Sequence, residues 1–149
     1  MAIRCATRCW HSSLMLCLSC AGTLPSSFGN LSALTVIDLS TARLSGDFSS
    51  LRLSQSLAHF HVYSNEFSGT LVKQLFSAKS LFSVLLGDNQ LSGTIFGVTP
   101  RRSAAVGVGY FAAGTNFFSG NLGSGLCSFH NLKGFNFNAN QLSGSTPEW

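Results

Sequence analysis

The stretch that decides the fold is LFSVLLGDNQLSGTI, Leu81 to Ile95. Its apolar residues stand at the first, fourth and sixth positions (Leu81, Val84, Leu86), with Asn89 ninth, Leu91 eleventh and Gly93 thirteenth. Alternation at the fourth and sixth positions is the period of a short strand with one buried face. The same phrase recurs as Leu34-Ile37-Leu39-Ala42, Leu57-Phe60-Val62-Asn65, Val108-Phe111-Ala113-Asn116 and Leu132-Phe135-Phe137-Asn140. Its closing glycine recurs at Gly22, Gly46, Gly69, Gly93, Gly120 and Gly144, at intervals of 24, 23, 24, 27 and 24 residues. Such a period marks a stacked array of short units, not a closed globule. One strand and turn cannot cover its own apolar face, so each copy must bury it against its neighbours.

Each position of the phrase carries its own physical requirement. The ninth-position amides Asn65, Asn89, Asn116 and Asn140 are expected to turn inward where the chain leaves the strand and to bond the backbone of their own and the adjacent turn. Left unpaired, a buried amide costs roughly 1 to 3 kcal/mol. The first copy has Ala42 in that place. The thirteenth-position glycine permits a positive φ or a close approach between coils. Apolar pairs three apart, Phe28 and Leu31, Leu75 and Ala78, Leu126 and Phe129, suit short 3₁₀ turns on the opposite side. Of the 13 phenylalanines, Phe48, Phe60, Phe67, Phe111, Phe118, Phe135 and Phe137 fall at inward positions, which predicts an aromatic interior.

The phrase resembles the plant-specific type of leucine-rich repeat, whose pattern runs L-x-x-N-x-L-S-G-x-I-P. GTLPSSFGNLSAL (Gly22 to Leu34) matches its convex segment, and SGSTP (Ser143 to Pro147) matches its tail. Similar repeats occur in kinetoplastid surface antigens, to which the closing Pro147-Glu148-Trp149 is similar. The resemblance implies a leucine-rich-repeat solenoid with short parallel strands on the concave face and 3₁₀ turns and loops on the convex face. It also implies a receptor-like or surface-antigen context. About five copies over residues 22–149 are expected, with an array that reads as truncated at both ends and without polar caps. The fourth copy is weakened by Val108, Ala113 and flanking glycines. Its three extra residues, around Gly97 to Ala105, should bulge on the convex side.

Residues 1–21 read in two ways. Arg4 and Arg8, the apolar run Leu14 to Leu18 and the small-residue site Ser19-Cys20-Ala21 fit a secretory signal. Leu14, Leu16 and Leu18 equally fit the strand of a decayed repeat, with Gly22 in register. Cys5, Cys9, Cys17 and Cys20 lie close together, but the loop between the pairs is too short and apolar for a zinc module. They would be lost with a signal or paired in an amino-terminal cap. Cys127 reads as a small buried residue. Asn30-Leu31-Ser32 is a glycosylation acceptor at Asn30.

Charged residues make up 9 % of the chain and the net charge is +4. The nine basic residues are dispersed, which argues against nucleic acid, since phosphate binding needs a clustered basic face. No run reaches the roughly 20 apolar residues of a spanning helix. Residues at the third, fifth and seventh positions should line the concave face, and Asp38, His59, His61, Tyr63, Tyr110 and Asn136 are the candidate ligand contacts. His59, His61 and Asp38 fall on one face of adjacent strands. With no cleft around them, a contact patch is expected there and not a catalytic or metal site. The expectation is a non-enzymatic recognition module without cofactor, binding protein, peptide or glycan, secreted or at the cell surface. The alternatives are a cytoplasmic scaffold and an inhibitor that occludes an enzyme. Nothing in the sequence speaks to oligomeric state.

Overall fold

The computed structural model describes residues 8–10, 13–15, 21–24, 33–49, 51, 53–71, 73–95, 107–122, 126–127 and 129–145. Each copy contributes one rung to a parallel ladder: β4 (Val36–Asp38), β6 (His59–His61), β8 (Ser83–Leu85), β10 (Tyr110–Ala112) and β12 (Gly134–Asn136). The rungs pair without stagger, Ile37 beside Phe60, Phe60 beside Val84, Val84 beside Phe111 and Phe111 beside Phe135. The fourth positions of all five copies therefore line up in one interior. At the head of the ladder β1 (Arg8–Trp10) runs antiparallel to β2 (Ser13–Met15), and β2 pairs parallel with β4, placing Leu14 beside Ile37. Leu14 thus occupies the fourth position of a further rung. The expected partners Leu16 and Leu18 lie outside the described residues, as do Asn30, the Phe28 and Leu31 pair, and the insertion at Gly97 to Ala105.

The repeat pattern did not announce a second sheet. It is built from β3 (Gly22–Thr23), β5 (Leu44–Gly46), β7 (Glu66–Thr70), β9 (Gln90–Thr94), β11 (Phe117–Asn121) and β13 (Gln141–Ser143). Here each strand is displaced by two residues against the next, Ser45 facing Glu66, Ser68 facing Gln90 and Ser119 facing Gln141. The chain passes from one sheet to the other through an eighth-position residue in the left-handed region: Thr41, Ser64, Asp88, Thr115 and Ala139 have φ of 58, 53, 53, 53 and 48°. The thirteenth-position glycines are left-handed as well. At Gly93, with φ of 82°, an added Cβ would also stand 2.9 Å from the Cγ2 of Thr70 one coil earlier. Conformation and space both require glycine there.

Leucines and phenylalanines fill the interior. Phe48, Phe60, Phe67, Phe76, Phe111 and Phe118 are fully buried, and Phe48 packs edge-on against Phe60 with ring centres 5.7 Å apart. Phe111 bridges Phe76, Phe129 and Phe137 at 5.8, 6.0 and 5.2 Å. Phe135 departs from its expected burial. It keeps the inward register yet is 52 % exposed, because β12 is the last rung of the described ladder; Phe137 stacks on it at 5.7 Å. Cys127 is half-buried, not enclosed as expected. On the convex side a 3₁₀ helix spans Lys73–Ser77, and Leu75, Ala78, Leu126 and Phe129 are buried beneath the turns.

The ninth-position amides make the same bonds in every copy that has one. Asn89 Nδ2 donates to the carbonyls of Leu86 and Gly87 in its own turn and of Val62 in the preceding rung, at 3.1, 3.1 and 2.9 Å, while its Oδ1 accepts from the Phe67 amide at 3.0 Å. Asn116 repeats this with Ala113, Gly114, Leu86 and the Leu91 amide. Asn140 repeats it with Phe137, Asn138, Ala113 and the Phe118 amide. Each amide ties the carbonyls of its own turn to the preceding rung and so bonds across an interface between copies.

Candidate ligand-binding face

The outward side chains of β4 to β12 form a continuous surface, since strand residues one apart point to opposite faces. Asp38 on β4, His61 on β6 and Ser83 on β8 meet across three consecutive rungs. His61 Nε2 lies 2.9 Å from Ser83 Oγ and its Nδ1 lies 3.8 Å from Asp38 Oδ2, while the Ser40 amide donates to Asp38 Oδ1 at 3.1 Å. Burial lowers the His61 pKa, the Asp38 carboxylate opposes that shift, and neighbouring His59 adds to it. The imidazole is therefore neutral at pH 7, and its approach to Asp38 is not an ion pair there.

A carboxylate, an imidazole and a hydroxyl in a row are the groups a nucleophilic serine uses. Acyl transfer also needs free N–H donors aimed at the developing oxyanion. The amides of Phe82 and Ser83 both donate to the Ala58 carbonyl, at 2.8 and 3.1 Å, and Ser83 is buried. The row is a polar strip along the outward face of the ladder.

Beside that strip stands an aromatic row. His59 packs edge-on against Phe82 at 6.1 Å, and Phe82 packs edge-on against Tyr110 at 5.6 Å. Phe82 and Tyr110 are 38 % and 45 % exposed, and Tyr63, 40 % exposed, borders the opposite side of the face. Leu85 and Ala112 lie between, half-buried. Asn136 is exposed on the last rung, its Oδ1 accepting from the Asn138 amide at 3.0 Å. The structure thus brings Asp38, His59 and His61 together, sets Tyr110 beside them through Phe82, and leaves Tyr63 and Asn136 on the same face but apart.

Phe82 escaped the sequence reading because it occupies the second position of its copy, beside the three columns expected to line the face. The signal for it was two glycines that pass for repeat decay. A Cβ at Gly109 would come 2.7 Å from Phe82 Cε2, and one at Gly134 would come 3.3 Å from Tyr110 Cδ1. Each glycine gives the ring of the preceding rung a place to lie.

The repeated phrase, the in-register parallel ladder and the asparagine bonds define a leucine-rich-repeat solenoid. The chain is a leucine-rich-repeat protein, and its structural neighbours are plant receptor ectodomains. The ectodomain of the receptor kinase SOBIR1 from Arabidopsis thaliana superposes with a TM-score of 0.73 at 26 % identity, over 97 % of this chain and 83 % of that one. The ectodomain of GASSHO1/SCHENGEN3 from the same plant, solved with CASPARIAN STRIP INTEGRITY FACTOR 2, gives 0.72 at 29 % identity, over 82 % of this chain. The Arabidopsis receptor kinase HAESA, solved with the peptide hormone IDA and the co-receptor SERK1, gives 0.67 at 26 % identity, over 83 % of this chain. The chain spans only 14 % of the second and 20 % of the third. No family model and no curated protein sequence matches it. Among the described residues, no helix is long and apolar enough to cross a membrane.

Proposed function

We propose that this chain is a non-enzymatic recognition module that binds a peptide or protein ligand on the concave face of its ladder, in a secreted or cell-surface protein. One observation carries the reading: three exposed rings, Tyr63, Phe82 and Tyr110, stand on the outward face of one ladder. Exposed aromatic anchors beside a polar strip are what binding surfaces concentrate. Two of the neighbours were solved with a peptide hormone or a named factor bound, which supports a ligand of that kind over a glycan. Asp38, His59, His61, Tyr63, Tyr110 and Asn136 are the proposed contacts, joined by Phe82. The pairing of β2 with β4 supports assigning residues 13–15 to the array and not to a cleaved leader.

The test is to select binders from a displayed random-peptide library against the intact chain and map them with three variants. Ala112→Arg on the concave face and Tyr63→Ala at its border should remove the binders without changing the melting temperature. Lys79→Glu on the exposed convex side should keep them. Binders that survive both concave changes and are lost with Lys79→Glu would overturn the reading.

A further inference from the structure

The concave face is unequal along its length, and if that face binds as proposed above, the inequality describes the ligand. Asp38 lies on β4, the first of the five rungs, its side chain 30 % exposed, and β2 and β1 continue the ladder beyond it. The third, fifth and seventh positions of the five copies contain no lysine or arginine, while beyond β4 the register places Met15 of β2 beside Asp38 and Arg8 of β1 beside Met15. Two rungs further on the ring ledge begins. Phe82 and Tyr110 lie edge to face at 5.6 Å, each over a glycine of the next copy. Leu85 and Ala112 give that stretch an apolar floor, and Asn136 ends the face with a neutral amide.

Rungs stand about 4.8 Å apart, so the face from β4 to β12 is about 19 Å long. An extended chain covers about 3.4 Å per residue, so about six residues fill that length. From Asp38 to the ledge is two to three rungs, about 10 to 14 Å, or three to four residues of such a chain. The Asp38 carboxylate calls for a cation, and the ledge calls for a flat apolar ring that can stack on exposed aromatic surface.

We propose that this face selects an extended peptide segment of about six residues carrying a basic group at one end and, three or four residues away, a proline or aromatic side chain that rests on Phe82 and Tyr110. Asp38 reads the charge and the ledge reads the ring. Gly109 and Gly134 act as positioning residues, because they fix where the two rings lie without touching the ligand.

A positional-scanning hexapeptide array incubated with the intact chain tests this. Signal should require arginine or lysine together with proline or an aromatic residue three or four places away. Asp38→Asn should weaken binding of the basic peptides about fivefold and leave the ring preference intact. Gly109→Ala should displace the Phe82 ring, a flexible side chain that can swing aside, and weaken ring-bearing peptides about tenfold with the melting temperature unchanged. Should that variant fold poorly, Phe82→Ala reports on the same ledge from an exposed position. A silent array, or one indifferent to the basic residue or to its spacing from the ring, would overturn the proposal. Concave-mapped library binders that lack the pattern would sink this inference and leave the proposed binding function standing, whereas binders mapping elsewhere would sink both.

Discussion

The turn after β4 and the turn after β8 have the same task and different means. After β8, Asn89 ties its own carbonyls to the preceding rung, its backbone amide donates to Thr115 at 3.2 Å, and the strand that comes next, β9, runs five residues from Gln90. After β4, Ala42 offers no side-chain amide. Its backbone N–H turns away from the ladder partner that Asn65 and Asn89 use and donates instead to Asn65 Oδ1 at 3.2 Å, which also accepts from the Leu44 amide at 2.9 Å. Arg43 is then left-handed, with φ of 50°, where Glu66, Gln90 and Phe117 in the same place are not. β5 starts one position later in its copy than β9 does, at Leu44. A ladder asparagine therefore organises two turns at once. The copy that lacks its own is held from one side only.

The largest test of that difference is Asn89→Ala. It strips donors from Leu86, Gly87 and Val62 and the acceptor from Phe67, and should cost roughly 1 to 3 kcal/mol in chemical denaturation. A loss well under that range would mean that the two turns do not differ in kind. The reverse change, Ala42→Asn, should add a second donor to the Leu39 and Ser40 carbonyls, which now accept from Asn65 Nδ2 at 2.9 Å and Thr41 Oγ1 at 2.7 Å, and raise stability by about 1 kcal/mol, with slower amide exchange at Arg43. Smaller and opposite in sign are two glycine substitutions at the tenth position. Arg43→Gly should gain about 0.5 kcal/mol by relieving the left-handed backbone. Glu66→Gly should lose a similar amount, because Glu66 is already in a strand. Matched effects at the two sites would break the comparison.

The smallest effect lies off the asparagine ladder, at His61. Its folded pKa is depressed by burial, so the fold favours the neutral ring, and the unfolded chain takes up a proton first as pH falls through the ordinary value of 6.5. Stability contributed this way is complete above that value and declines below it. His61→Gln should flatten the slope of melting temperature against pH between 7 and 5.

The first ladder was legible in the sequence because Ile37, Phe60, Val84 and Phe111 fall on a strand period within a strict repeat, and a slip of one residue would have turned each of them outward. The second sheet was not. Its strands, such as Glu66–Thr70, carry a single buried apolar residue and a left-handed glycine, which reads as a turn. Phe135 was placed correctly in register and wrongly in burial, since burial depends on the rung beyond it. On the concave face, alternation exposed the positions of Asp38, His59, His61, Tyr63, Tyr110 and Asn136. The Phe82 ledge depends on which neighbour is small, a relation between copies that no single phrase contains.

The two-residue displacement in the second sheet changes how that flank is to be surveyed. On the concave side, equivalent residues of successive copies form straight columns, and a mutational scan can follow the repeat alignment. On the flank, the exposed Phe117 sits beside Ser92 and not beside its counterpart Gln90. Surface engineered there, whether a tag, a crosslink or an antibody epitope, has to be laid out obliquely, because neighbours in space are drawn from unlike places in the consensus.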